Sequence, residues 1–201
     1  YTTATTAPAS YCNSGTAFNT CNDKIWHSSS TLPGWYDTDW SYRRKITVNS
    51  SQVYSTESNF VILATTTIAD FADIANGGNV ASSTGGDFVV TDTDGTTLLN
   101  FEKEYYDNTS GQIAFWIKTD VSSTTNKEIY IYYGNSSAST DMSTTTGVWG
   151  DEYLGVWHMN NDPTGASPQL LDSTKNANHA VANGGWVAGD LIDSPMGQAI
   201  D

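Results

Sequence analysis

Two carboxylate pairs are the first residues in the chain with spacing suited to chemistry: Glu102 with Glu104, and the adjacent Asp151 and Glu152. Glycoside hydrolysis uses two carboxylates flanking one bond. Alternation along a strand sets Glu102 and Glu104 on one face, with Leu99, Phe101 and Tyr105 on the other. Two acids side by side on a strand are also what a plain solvated face looks like, and we read this pair as that. His27, His158 and His179 are scattered, and the chain has no Gly-x-Ser-x-Gly, His-Glu-x-x-His or glycine-rich phosphate loop. No residue is therefore assigned a catalytic role, and the expectation is a protein that is not an enzyme.

Oxygen-rich loops suit a hard cation better. Asp92 and Asp94 precede Gly95, a pattern that a turn explains and that lacks the further ligands of a calcium loop. Asp162 and Asp172 with Asn176 and Asn178 form the more suggestive set, so the cofactor expectation is none, with calcium at those four residues as the alternative.

Aromatic placement gives the clearest binding signal. Ile113, Phe115 and Ile117 alternate with Ala114, Trp116 and Lys118, and Ile129, Ile131 and Tyr133 alternate with Tyr130 and Tyr132. With the isoleucine faces in the core, Trp116, Tyr130 and Tyr132 share the opposite face, where flat rings suit stacking on sugars. The competing reading is that another part of the chain covers that face. Arg43-Arg44-Lys45, the one basic cluster, reads as internal pairing with an acidic surface, Arg43 and Lys45 pointing one way and Arg44 the other.

Composition bounds the setting. The 201 residues carry 8 Lys plus Arg against 22 Asp plus Glu, a formal charge of −14. That sign disfavours nucleic acid and anionic membranes as partners. Ser and Thr supply 50 residues while charged residues are only 15%, a hydroxyl-rich balance of secreted type. Cys12 and Cys21 lie close together without zinc-type companions and are read as one local disulfide, which implies an oxidising compartment and an extracellular location. Asn49, Asn108 and Asn135 each open an Asn-x-Ser/Thr triplet and are candidate glycosylation sites. No run of 18 apolar residues occurs, so this segment is not expected to insert into a membrane, and any leader or N-terminal anchor would precede Tyr1.

The elements that must position these residues are short strands. Residues 1–38 read as an irregular arm holding the cysteine loop. Strand signals follow at 42–48, 60–65, 88–90, 97–105, 112–118 and 127–133, with one short helix expected from Ile68, Phe71, Ala72 and Ala75. Turns at Asp92–Gly95 and Asn108–Gly111 should each close a hairpin. The fold class expected is all-β, an antiparallel sandwich or jelly roll with one short helix, over 39–150. Beyond a Thr-rich connector, 153–159 reads as a strand and 179–182 and the region of Trp186 as weaker ones. The segment 151–201 is too small to bury a core alone and must dock on something.

Two resemblances add to this reading. Trp40-Ser41-Tyr42-Arg43-Arg44-Lys45-Ile46-Thr47-Val48, Gly86-Asp87-Phe88-Val89-Val90-Thr91-Asp92-Thr93-Asp94-Gly95, Ala114-Phe115-Trp116-Ile117-Lys118 and Ile129-Tyr130-Ile131-Tyr132-Tyr133-Gly134-Asn135 resemble the domain-of-unknown-function family 2341. Gly155-Val156-Trp157-His158-Met159, the stretch Leu171 to Ala180 and Gly197-Gln198-Ala199-Ile200-Asp201 resemble the opening of a laminin-G-like, concanavalin-type jelly roll, in which further strands would follow. The pairing resembles the make-up of prokaryotic surface proteins. It implies a non-catalytic extracellular module for adhesion, with a glycan or a surface protein as partner. The alternative is a structural subunit of an extracellular filament, packing on copies of itself; the third is an accessory module of a larger carbohydrate-active enzyme.

Overall fold

The computed structural model describes residues 34–138 and 140–201. Cys12 and Cys21, and with them the expected disulfide, lie outside the described residues, as does nearly all of the N-terminal arm.

Six strands form two antiparallel three-stranded sheets. β1 (Tyr42–Val48), β6 (Lys127–Tyr133) and β3 (Val89–Thr91) make one, in the order β1-β6-β3. β2 (Glu57–Thr67), β5 (Gln112–Val121) and β4 (Phe101–Asp107) make the other, in the order β2-β5-β4. The alternation on β5 and β6 dictates the packing. Ile113, Phe115 and Ile117 meet Ile129, Ile131 and Tyr133 in one buried core. Phe88 sits at its centre, edge-on to Phe71, Tyr106 and Phe115 at centroid distances of 5.6, 5.2 and 5.1 Å. The all-β sandwich expected from the sequence is the observed architecture.

Turn chemistry holds at one hairpin and is redirected at the other. Asn108–Gly111 joins β4 to β5: Asp107 accepts from Thr109 N at 2.8 Å and Ser110 Oγ at 2.7 Å, and Gly111 takes φ +72°. A Cβ on Gly111 would stand 2.1 Å from the Ile68 carbonyl oxygen, so this turn requires glycine. At Asp92–Gly95 the turn forms, with Gly95 N donating to Asp92 O at 2.8 Å. The chain then makes a single bridge, Thr91 to Leu98, and crosses to the other sheet. β3 and β4 are thus not a hairpin.

The helix expected near Phe71 is two 3₁₀ turns, Ala69–Phe71 and Ile74–Asn76. Asp73 interrupts it by accepting from Asn76 N at 2.9 Å as an N-cap, and Gly77 at φ +87° stops the second turn. The α-helix, α1 (Thr145–Val148), lies instead in the Thr-rich connector and buries Val148.

The basic triplet pairs largely as the charges suggest. Arg44 bridges Asp70, and Lys45 Nζ lies 2.7 Å from Glu128. Arg43 meets no acid among the described residues. Its guanidinium lies 4.9 Å from the Trp35 ring and 4.6 Å from that of Tyr130, and it donates to Gly34 O at 2.7 Å.

One buried acid ties the sandwich to its loops. The Asp87 carboxylate, fully excluded from solvent, accepts from Ala81 N and Ser82 N at 3.0 Å, Gly134 N at 2.7 Å and Asn135 N at 3.2 Å. Its carbonyl oxygen accepts from Trp40 Nε1 at 2.6 Å. Truncation would strand several buried N–H groups at once. Asp87→Ala should therefore lower the unfolding free energy in urea titration by about 3 kcal/mol; a change under about 1 kcal/mol would contradict this role.

Candidate functional site

The expected solvated face of β4 is in fact its most enclosed polar region. A bulge between Lys103 and Tyr105 breaks strict alternation, so Tyr106 takes the core position that alternation would deny it. Glu102, paired opposite Trp116, and Glu104 project from the outer side of the sheet with side-chain exposures of only 10% and 5%.

Residues from beyond the sandwich cover them. His158 Nε2 lies 3.1 Å from Glu102 Oε2, and its Nδ1 lies 2.7 Å from Glu104 Oε2. Trp149 Nε1 donates to Glu102 at 2.5 Å and Ser173 Oγ at 2.7 Å. Trp116 Nε1 donates to Glu104 at 3.0 Å and Asn160 Nδ2 at 2.8 Å. The imidazole also packs against both indoles, 5.9 Å from Trp116 and 5.7 Å from Trp149 between centroids.

With a carboxylate on each ring nitrogen, the imidazole must donate from both and carries a charge. Burial pulls the His158 pKa down, but the hydrogen bonds and charges of Glu102 and Glu104 outweigh it and raise the value from 6.5 to about 9. Burial likewise pushes Glu102 up, yet the donors from His158, Trp149 and Ser173 hold it below its ordinary 4.5. Every carboxylate oxygen of the pair accepts from at least one of these donors. What it does is clamp residues 149–173 onto the outer face of β4 and β5.

Trp116, Tyr130 and Tyr132 do not share a face. β5 and β6 belong to different sheets, so their outer faces look away from each other across the sandwich. Trp116 packs beneath Trp149 and His158. Tyr130 and Tyr132, 5% and 0% exposed, lie under Trp35, Tyr36, Trp40 and Met142. Adjacent positions on sequential strands suggested one sheet; the chain instead changes sheet between them.

Of the calcium set, Asp172, Asn176 and Asn178 lie together, and Asp162 sits in another turn. Asp172, almost fully buried, accepts from Val156 N at 2.9 Å, Thr174 N at 2.9 Å and Asn178 N at 2.8 Å. Burial raises its pKa, but these donors dominate and bring it to about 2. Asn176 Nδ2 donates to Tyr153 O at 3.1 Å, and Asn178 Nδ2 to Leu154 O at 2.9 Å. Asp162 closes a separate turn on Thr164. Among the described residues no three His, Cys, Asp or Glu converge as a metal group. Asp172 organises these loops through their backbone N–H groups.

The candidate glycosylation sites also differ. Asn135 is 6% exposed and Asn108 Nδ2 donates to Asp73 at 2.7 Å, whereas Asn49 is exposed, its Oδ1 accepting from Ser51 N.

Residues 153–159 form no strand beyond a bridge from Trp157 to Asp172, and Met159 at φ +59° turns the chain at their end. A second bridge joins Leu170 to Ala180, and β7 (Leu191–Ser194) pairs with β8 (Gly197–Ile200). Among the described residues, the last buried member of the aliphatic and aromatic core is Trp149. Leu154 at 81%, Val187 at 58%, Val181 at 51%, Leu171 at 46% and Trp157 at 41% are all exposed. Hydrogen bonds from Asn178 to Leu154 O and from Trp157 Nε1 to Asn178 O bring Leu154, Trp157 and Leu171 into one region. No helix among the described residues is long and apolar enough to cross a membrane.

Sequence reasoning set His158 aside as scattered and did not single out Trp149, Asn160 or Ser173. Two acids on the same side of a half-apolar strand were a usable signal, since such acids need a cation if the face is covered.

Residues 84–155 match the family described as Domain of unknown function (DUF2341). The match takes in β3 to β6, Asp87, both glutamates and Trp149, and leaves out β1, β2, His158 and Ser173. No family model names the laminin-G-like part. No curated protein matches the chain, and no solved structure does.

The clamp sets a pH window. The His158 contribution is full below pH 6.5 and lost as pH rises through about 9; that of Glu102 is present above 4.5 and lost as pH falls below it. Imidazole titration by NMR should therefore give a His158 midpoint near 9, and a midpoint at or below 6.5 would show the ring outside the clamp. Glycosylation of the folded protein should be found by peptide mass mapping at Asn49 and not at Asn135.

Proposed function

We propose that this chain is a non-catalytic module of an extracellular surface protein that attaches by contact, its C-terminal segment meeting a partner. One observation carries the reading: the segment anchors itself through polar groups and leaves its apolar ones outside. His158, Asn160 and Ser173 face inward to the glutamates, while Leu154, Trp157, Leu171 and Val187 face solvent. Apolar groups left outside in this way mark an interaction site.

The aliphatic share of that surface favours a protein partner; the indole faces of Trp157 and Trp186, with Asn neighbours, favour a glycan as the second reading. The resemblance of 155–201 to the start of a laminin-G-like jelly roll supports a role in attachment. The acidic, hydroxyl-rich composition supports an extracellular setting.

Binding of labelled protein to the envelope of the cells that make it tests this. Leu154→Ser and Trp157→Ala should each weaken binding about tenfold or more, as loss of an anchor does, with the melting midpoint unchanged. Protease treatment of the envelope should abolish binding if the partner is a protein, and periodate oxidation if it is a glycan. Variants that bind like the parent protein would refute the reading.

A further inference from the structure

The two lateral sides of the sandwich differ. On one side the chain covers its own edges. Leu99 N donates to Val90 O at 2.9 Å beside β3, and Thr144 N donates to Phe101 O at 2.8 Å beside β4. Gly197 of β8 lies so close to the Tyr105 ring that a Cβ there would be 2.5 Å from it.

On the other side stand β1 and β2. β1 carries Arg43, Arg44 and Lys45, charges of the kind that guard an edge strand. β2, 11 residues long, has neither charge nor proline from Ser58 to Thr67. It pairs with β5, and no other described element pairs with it. Phe60, in register with buried Thr119, is 49% exposed on this side, and the core-facing Ile62 and Ala64 are only partly buried.

We propose that two copies of this chain pair through β2, edge to edge and antiparallel about a twofold axis, joining two three-stranded sheets into one of six strands. A free strand edge presents alternating N–H and C=O groups, which an extended polypeptide satisfies. A second β2 is the polypeptide that fits. Centred on Ile62, the twofold register sets Phe60 opposite the partner's Ala64 and Val61 opposite the partner's Leu63. From Phe60 to Ala64 inner residues stay inner and outer residues stay outer, and the bulge between Glu57 and Phe60 falls outside that stretch. For a chain of formal charge −14, an uncharged stretch lets a second copy approach without like charges facing each other across the seam. Because the far side is covered, the contact uses the same edge on both copies and closes as a dimer.

Analytical ultracentrifugation of the full chain over a concentration series, with amide exchange at 60–66, is the test. The expected result is a monomer–dimer equilibrium that goes no further, with these amides better protected in concentrated than in dilute protein. Leu63→Lys and the exposed Thr65→Lys should each weaken dimerisation about tenfold or more, without lowering the melting midpoint of the dilute Thr65→Lys protein. A monomer throughout, species larger than a dimer, or a dimer indifferent to both substitutions would overturn the proposal. So would amides equally protected at every concentration, which would mean that the edge is covered within one chain.

Discussion

Two carboxylates on one covered strand face constrain everything that follows them in the chain. Glu102 and Glu104 are removed from water by Trp116 and Trp149, and burying two like charges together is tolerated only with a cation between them and donors on the remaining oxygens. His158 is that cation, and Ser173, Asn160 and the two indoles are those donors. The segment from Trp149 to Ser173 is consequently placed by electrostatics more than by apolar burial. Each docking residue reaches a fixed oxygen, and the path between them bends through irregular loops to allow it.

This division of labour explains the uneven texture of the molecule. Between β1 and β6 the alternation of large apolar residues drives two sheets together around Phe88, and burial of that area supplies the cohesion. Asp87 adds direction to it, since a carboxylate that accepts from two loops at once fixes how they cross. After Trp149 the rules invert. Asp172 gathers three backbone N–H groups, Asn176 and Asn178 staple carbonyl groups, and the aliphatic residues are left outside.

Those rules also decide what could be read in advance. Period-two alternation is a local property, and it located the six strands of the sandwich and the inward faces of β5 and β6. It carries no information about which sheet a strand joins, so Trp116 and the two tyrosines were wrongly brought together. The bulge at Glu104 shifts one residue and thereby exchanges the roles of Tyr105 and Tyr106, a change that no pattern count registers. The clamp was legible only in half. The acids are close in sequence, whereas His158 lies 56 residues beyond Glu102, and a contact at that separation is set by the fold alone.

The matched region, 84–155, contains both glutamates and ends before the histidine. Similarity and physics therefore draw the boundary of this unit in different places. Left open to water, the two acids need no partner; once a segment closes over them beside Trp149, it must bring a positive charge to their oxygens, as His158 does. The cover and the counter-charge therefore arrive together, in one stretch of chain that lies beyond the matched region.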